Sequence, residues 1–313
     1  MFNAHDWQPT ATINALKQRA EIIKTIRDFF YERGVLEVET PLLCYSSTIE
    51  PHLHSFHIPG TGYLQTSPEF AMKRLLAANS GPIYQLGKAF RAEESGRNHN
   101  REFTLLEWYR PGFDHHQLMD EIDALIITIL KCEKADRKTY QSIFLELLNI
   151  DPLTASIAAL QDAAAHINAP VLGDDRDAWL QLLMSHAIEP NIGQERPIFI
   201  YDFPASQAAL AKINPQQPQV ADRFELYFHG LELVNGYHEL TDAAEQHRRF
   251  IADNATRRNN QLPELPIDMR LLTALAQPFP ECAGVALGVD RVIMLALAAT
   301  HIEDVISFTE SRA

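Results

Sequence analysis

Cysteine is scarce in this chain of 313 residues, which holds only Cys44, Cys132 and Cys282. They are odd in number, far apart and outside CxxC spacing, so neither a disulfide framework nor a zinc site is indicated, and all three read as buried small hydrophobes. No apolar run approaches the roughly 20 residues that a membrane helix needs. Met1 to Gln18 lacks a basic segment followed by a hydrophobic one, so no leader peptide is expected and the expected compartment is the cytoplasm. Positive charge is short as well. With 27 basic against 41 acidic residues, the formal charge of -14 disfavours a broad electrostatic grip on a polyanion while leaving room for a local basic patch. Internal repeats and low-complexity tracts are absent. What remains is a hydrophobic content of 46%, enough to bury a full core.

Helical spacing is clear in two places. Leu16, Ala20, Ile23, Ile26 and Phe30 predict an amphipathic helix over about 14 to 33, closed by Gly34. Leu118, Ile122, Leu125, Ile126 and Ile129 predict another from His116 to about Cys132. Ala135 to Glu195 is rich in Ala and Leu and reads as structural helices set between strands. Pro204 to Pro218 reads as an ordered loop with one helical turn, interrupted by Pro215 and Pro218.

The strongest chemical signal runs from Phe90 to Tyr109. Arg91 ends one β-rich run, a polar loop follows, and period-2 alternation then puts Phe103, Leu105, Glu107 and Tyr109 on one strand face. Arg91 suits a phosphate or carboxylate, Phe103 can stack on a base, and Glu107 with Tyr109 suits an ammonium group. An amphipathic strand with one wet face would explain this hairpin alone. It does not explain the other segments that carry the same theme.

Those segments are Phe29 to Pro41, a helix end running into a strand that stops at proline; Ser67-Pro68-Glu69; Glu232 to Glu239; and Gly284 to Arg291, a strand passing into the last helix. Together with the hairpin they resemble the class II aminoacyl-tRNA synthetases, most closely the catalytic domain of lysyl-tRNA synthetase. The resemblance implies an α/β (α+β) fold: a single catalytic domain over residues 1–313, an antiparallel sheet flanked by helices, and a helical insertion at about 114–196. It also implies a homodimer whose interface uses the first helix and the strand through Pro41. Only about a dozen residues precede the first helix, too few for an anticodon-binding β-barrel, so no such domain is expected.

The same resemblance assigns roles. Arg91 would bridge the α-phosphate of ATP and the substrate carboxylate, and Arg291, near Gly288 at the start of the last helix, would contact the γ-phosphate. Phe103 would stack on adenine, Glu93 would read its amino group, and His99 with Asn100 would complete the ATP site. Glu225 and Glu232 would hold Mg2+. In a straight strand Glu232 has the wrong parity to join Asn235, Tyr237 and Glu239, and a bulge would resolve this. In the amino-acid pocket, Glu69 would bind the amine near the carboxylate, and Glu107, Tyr109 and Glu239 the distal ammonium. Asn235 would bind the carboxylate. Three carboxylates around one small pocket call for a ligand with two amines, such as lysine.

Two pocket positions depart from ordinary lysyl-tRNA synthetases: Ser67 stands in place of alanine and Ala286 in place of glycine. In the hairpin loop, Arg101 replaces a proline and Asn98 an arginine. The altered pocket and the expected lack of an anticodon domain point to the elongation factor P-lysine ligase family, stand-alone paralogues of lysyl-tRNA synthetase. Its members activate (R)-β-lysine with ATP and pass it to a lysine ε-amine of elongation factor P. tRNA is not an expected partner and no membrane is involved. The competing readings are a truncated lysyl-tRNA synthetase that charges RNA, and a catalytically silent synthetase-like regulatory subunit. Arg91, Arg291, Glu225 and Glu232, all present, argue against the silent one.

Overall fold

The computed structural model describes residues 7–51, 53–167 and 172–313. Thr12 caps the first helix, α1 (Ile13–Glu32), by accepting from the Ala15 amide, and Ile26, Phe29 and Phe30 are its buried face. Gly34, at φ +64, turns the chain into the short strand β1 (Leu36–Glu37). A three-stranded sheet of β2 (Leu43–Cys44), β3 (His57–Ile58) and β4 (Gly62–Leu64) leads to α2 (Glu69–Ala77). The hairpin follows as β5 (Ile83–Phe90) and β6 (Glu102–Pro111). Asp114 and Gln117 form a capping box for α3 (His115–Leu130), whose buried stripe includes Leu118, Ile122, Leu125 and Ile126 as the spacing predicts.

The segment expected to be helices alone contains a strand as well, β7 (Asp136–Thr139), ahead of α4 (Tyr140–Leu148), α5 (Ile157–Ala163) and α6 (Arg176–Leu183). Its residues, Asp-Arg-Lys-Thr, carry no apolar alternation. β7 is an outermost strand that pairs only with β8 (Ile198–Pro204), in parallel, and such an edge needs no apolar face. Next come a single 3-10 turn at Ala205–Gln207, β9 (Val220–Phe228), β10 (Leu231–His238), α7 (Ala243–Asn259), α8 (Met269–Leu275), β11 (Cys282–Gly288) and α9 (Val289–Ala296).

Among the described residues, eight strands make one sheet in the order β1-β5-β6-β11-β10-β9-β8-β7. Every neighbouring pair is antiparallel except the outermost pairs, β1 with β5 and β7 with β8. One face packs on α1, α3 and α9 around Phe30, Leu106, Trp108, Ile122, Val285 and Val292. Trp108 is wholly buried and its indole donates to Glu121 Oε2 at 3.1 Å, so its one polar atom is satisfied. A second cluster joins α4, α5 and α6 to β8 through Phe144, Leu160, Leu183 and Ile200. Because Leu106 and Trp108 face the main core, Phe103, Leu105, Glu107 and Tyr109 face the other side.

No helix among the described residues is long and apolar enough to cross a membrane. All three cysteines are free thiols, but only Cys282 is buried. Cys44, on the rim of the small sheet, and Cys132, just past the end of α3, are half-buried, so reading them as core hydrophobes is corrected for those two.

Candidate active site

The face of the sheet opposite α3 forms the floor of a cavity of about 850 Å³. Strand register lays functional side chains across this floor in two rows. Glu107, Ala286, Asn235 and Glu225 stand side by side on β6, β11, β10 and β9, and Tyr109, Gly284, Tyr237 and Arg223 make the next row. Residues far apart in sequence therefore meet through backbone pairing, and period-2 alternation keeps them on one face. A bulge between Glu232 and Val234 shifts the pairing of β10 with β9 by one residue. That bulge brings Glu232 round to line the same cavity as Asn235, Tyr237 and Glu239, and so resolves the parity conflict.

At the end expected to take the amino acid, Glu107 accepts from Ser67 Oγ and from the Tyr109 hydroxyl, both at 2.7 Å. The serine that stands in place of alanine is thus tied to a pocket carboxylate, and it also accepts from the Glu69 amide at 3.1 Å. Burial, then repulsion from Glu69, raises the Glu107 carboxyl to a pKa of about 8 against those two hydrogen bonds. Glu239 is raised to about 7, again by burial first, with Lys73 opposing and Glu69 adding. The methyl of Ala286 lies on the floor between Glu107 and Asn235, and Asn235 Oδ1 is buried without a hydrogen-bond partner. Gly284 allows this packing. A Cβ there would fall 2.3 Å from both Tyr109 Cε1 and Glu239 Oε1.

Lys73 was not singled out from the sequence, yet it is almost wholly buried behind the pocket wall. Its Nζ lies 2.6 Å from Glu69 Oε1 and 2.6 Å from Glu239 Oε2. Burial works against its charge, but Glu239 and Glu69 outweigh that cost and raise its pKa above the ordinary value. The signal was present as the i,i+4 spacing of Glu69 and Lys73 on α2. Three carboxylates and one ammonium leave two acidic groups in excess at this end of the cavity.

At the end expected to take the nucleotide, Arg91 follows β5, donates to Glu94 Oε1 at 2.9 Å, and holds its guanidinium carbon 5.0 Å from the centre of the Phe103 ring. Its Nε is buried without a partner. Arg291 enters from the first turn of α9, donates to the Glu232 carbonyl at 2.6 Å and hydrogen-bonds to the His99 ring. Burial, then the charge of Arg291, lowers the His99 pKa, with Glu94 opposing. Asp290 fixes the turn that carries Arg291: it accepts from the Thr104 amide at 2.7 Å and meets Arg19 of α1 at 2.7 Å. Asn100 lines the cavity while its side chain donates to the Glu102 carbonyl at 2.7 Å, which shapes the loop. Gly288 caps α9 at the cavity edge, and a Cβ there would make only ordinary contact with Arg291.

Glu93 is the one expected site residue that the structure does not bring to the cavity. Its side chain is 72% exposed and lies 3.5 Å from His54 Nε2, while Glu94 lines the cavity beside Arg91. Glu225 accepts from Arg223 Nη2 at 2.6 Å and from the Tyr227 hydroxyl. Glu232 has a pKa of about 7, raised by its recessed position and by Glu225, with Arg291 opposing. Glu189, also missed in the sequence, is raised to about 7 by burial and then by Glu232 and Glu225. Such crowding of hard oxygen donors fits a divalent cation, so the residues present suit Mg2+.

Comparison with known proteins identifies the family. The family model described as "tRNA synthetases class II (D, K and N)" matches residues 3–312. A Vibrio cholerae protein named elongation factor P--(R)-beta-lysine ligase is 58% identical, over 98% of this chain and 99% of its own length. Proteins of the same name from Vibrio vulnificus and Yersinia enterocolitica are 56% and 52% identical, the first over 97% of this chain and 98% of its own, the second over the whole of both. The chain belongs to the class II tRNA synthetase family of the D, K and N group, among the elongation factor P-(R)-β-lysine ligases.

Proposed function

We propose that this enzyme activates (R)-β-lysine with ATP as an acyl-adenylate and transfers it to a lysine ε-amine of elongation factor P. The observation that carries the reading is the excess of two acidic groups where Glu69, Glu107 and Glu239 surround a cleft with Lys73 as internal counter-ion. A substrate with two ammonium groups draws the raised Glu107 and Glu239 to their charged forms and pairs them; a neutral amino acid leaves them holding protons. At the other end Arg91, with its unpartnered Nε, is free to take a carboxylate or phosphate oxygen.

In the first half-reaction a substrate carboxylate oxygen attacks the α-phosphorus of ATP and pyrophosphate leaves. Arg91 aligns the two anions, Arg291 holds the far phosphate, and Phe103 offers a face to the base. Glu225 and Glu232 would hold Mg2+, whose contribution is to neutralise phosphate charge. In the second half-reaction the acceptor amine attacks the acyl carbon, an amide forms, AMP leaves, and the amine releases a proton. A substrate of this kind, a translation factor as acceptor and ATP as donor place the work in the cytoplasm, and the acidic chain gives little means of gripping tRNA.

ATP-pyrophosphate exchange driven by β-lysine or α-lysine tests the activation half. Ala286→Gly removes a methyl from the floor between Glu107 and Asn235 and is expected to move preference toward α-lysine by roughly ten- to two-hundred-fold, the range a methyl-sized change supports. An unchanged ratio for the two lysines removes Ala286 from the specificity argument.

A homodimer is part of the proposal. Tyr31 at 86% exposed, Leu36 at 56% and, just past Pro41, Tyr45 at 71% lie along the helix end and strand expected at the interface, where a monomer would leave them in water. Light scattering should give twice the chain mass of 35.4 kDa. A mass of one chain at micromolar concentration would refute it.

A further inference from the structure

On the face of the sheet away from the cavity, three residues that the proposed chemistry does not use converge. They are His115 in the first turn of α3, Asp222 on β9 and His238 at the end of β10, and their ligand-capable atoms all lie within 4.8 Å of one another. His238 Nδ1 is 3.3 Å from Asp222 Oδ2. Its other ring nitrogen lies 3.1 Å from Glu281 Oε2, and Asp222 Oδ1 accepts from Asn214 Nδ2 at 3.0 Å. His115 is only 5% exposed, and neither of its ring nitrogens has a hydrogen-bond partner among the described residues. A buried imidazole with both nitrogens idle is unusual and points to something that the protein atoms do not supply.

We propose that His115, Asp222 and His238 form a site for a divalent transition-metal ion, with Zn2+ the best match. Two imidazoles and a carboxylate are a borderline donor set, which suits Zn2+ rather than Mg2+ or Ca2+. Tetrahedral zinc with bonds of roughly 2.0–2.1 Å needs ligand atoms roughly 3.3 Å apart. The His238 and Asp222 pair already has that spacing, and the idle His115 ring has to move by only an ångström or so to complete three ligands, which leaves the fourth position to water. The surrounding groups fit the same assignment. Glu281 is placed to accept from the far nitrogen of His238 and Asn214 orients the carboxylate, as the outer shell of a metal site does. The bound ion would pin α3 to β9 and β10 directly behind Arg223 and Glu239, and so hold the end of the sheet that forms the lysine pocket. Nothing in this assignment depends on the identity of the substrate.

The test uses the full chain, stripped with a chelator and titrated with Co2+ in a large excess of Mg2+, so that hard oxygen sites are filled. One equivalent should produce saturable d-d absorption without a thiolate charge-transfer band, and Zn2+ should abolish it. His115→Ala and Asp222→Asn should each weaken Co2+ binding by at least about tenfold. The Asp222→Asn variant is nearly isosteric, and melting curves in chelator identify any variant that fails to fold. Absence of a saturable band in the wild type, a thiolate band, or unchanged affinity in either well-folded variant would overturn the site.

Discussion

Arg291→Ala and Glu225→Ala should each lower substrate-dependent ATP-pyrophosphate exchange by more than roughly 100-fold, the usual loss when one preorganised electrostatic group is removed from a reacting centre. Arg291 sits at the junction of three elements: α9 carries it, β10 accepts from it through the Glu232 carbonyl, and the hairpin loop meets it at His99. Its place therefore survives small local shifts, and alanine removes charge from the proposed triphosphate end without disturbing the core. Glu225 is held by Arg223 and Tyr227 in the same row as Asn235. Exchange and circular dichroism measured on the same preparations check the expectation. Near-normal exchange in either folded variant would take that residue out of the site.

Lys73→Met should be the most damaging change to stability, by about 3–5 kcal/mol at pH 8, because it strands two carboxylates that now share one ammonium. The pH dependence follows from Glu239, whose folded pKa of about 7 already lies above its unfolded value with Lys73 present. A carboxyl raised in this way costs nothing below its unfolded pKa, where it is neutral in both states; its cost builds as the pH rises from the unfolded to the folded pKa and is constant above that. Loss of Lys73 raises that folded pKa further. The deficit of the variant should therefore be largest near pH 8 and shrink toward pH 5. Urea denaturation across this range measures it, and a deficit that does not vary with pH would mean that Lys73 acts by packing alone.

Much of the site was legible because strand parity is strict. Phe103, Glu107 and Tyr109, and likewise Asn235 and Tyr237, share a face by alternation alone, and the two amphipathic helices lie within two residues of their expected ends. What alternation cannot supply is the facing of residues outside regular strands. Glu93 and Glu94 sit in an irregular loop where no period applies, and the chain turns the second rather than the first toward Arg91. An isolated lysine on an amphipathic helix ordinarily reaches water, so Lys73 gives no signal of its own; its burial depends on Glu239, just past the end of β10 and more than 160 residues away. Glu189 and the three proposed zinc ligands likewise come together only through tertiary contacts. β7 was missed because an edge strand of polar residues has neither apolar period nor length.

The most direct measurement of the central claim offers both acceptors at once: the enzyme, ATP and radiolabelled (R)-β-lysine with elongation factor P and lysine tRNA in equal amounts. The account predicts label on elongation factor P in an amide stable to mild base, with negligible label on the tRNA. Label on the tRNA as a base-labile ester, with none on elongation factor P, would contradict it.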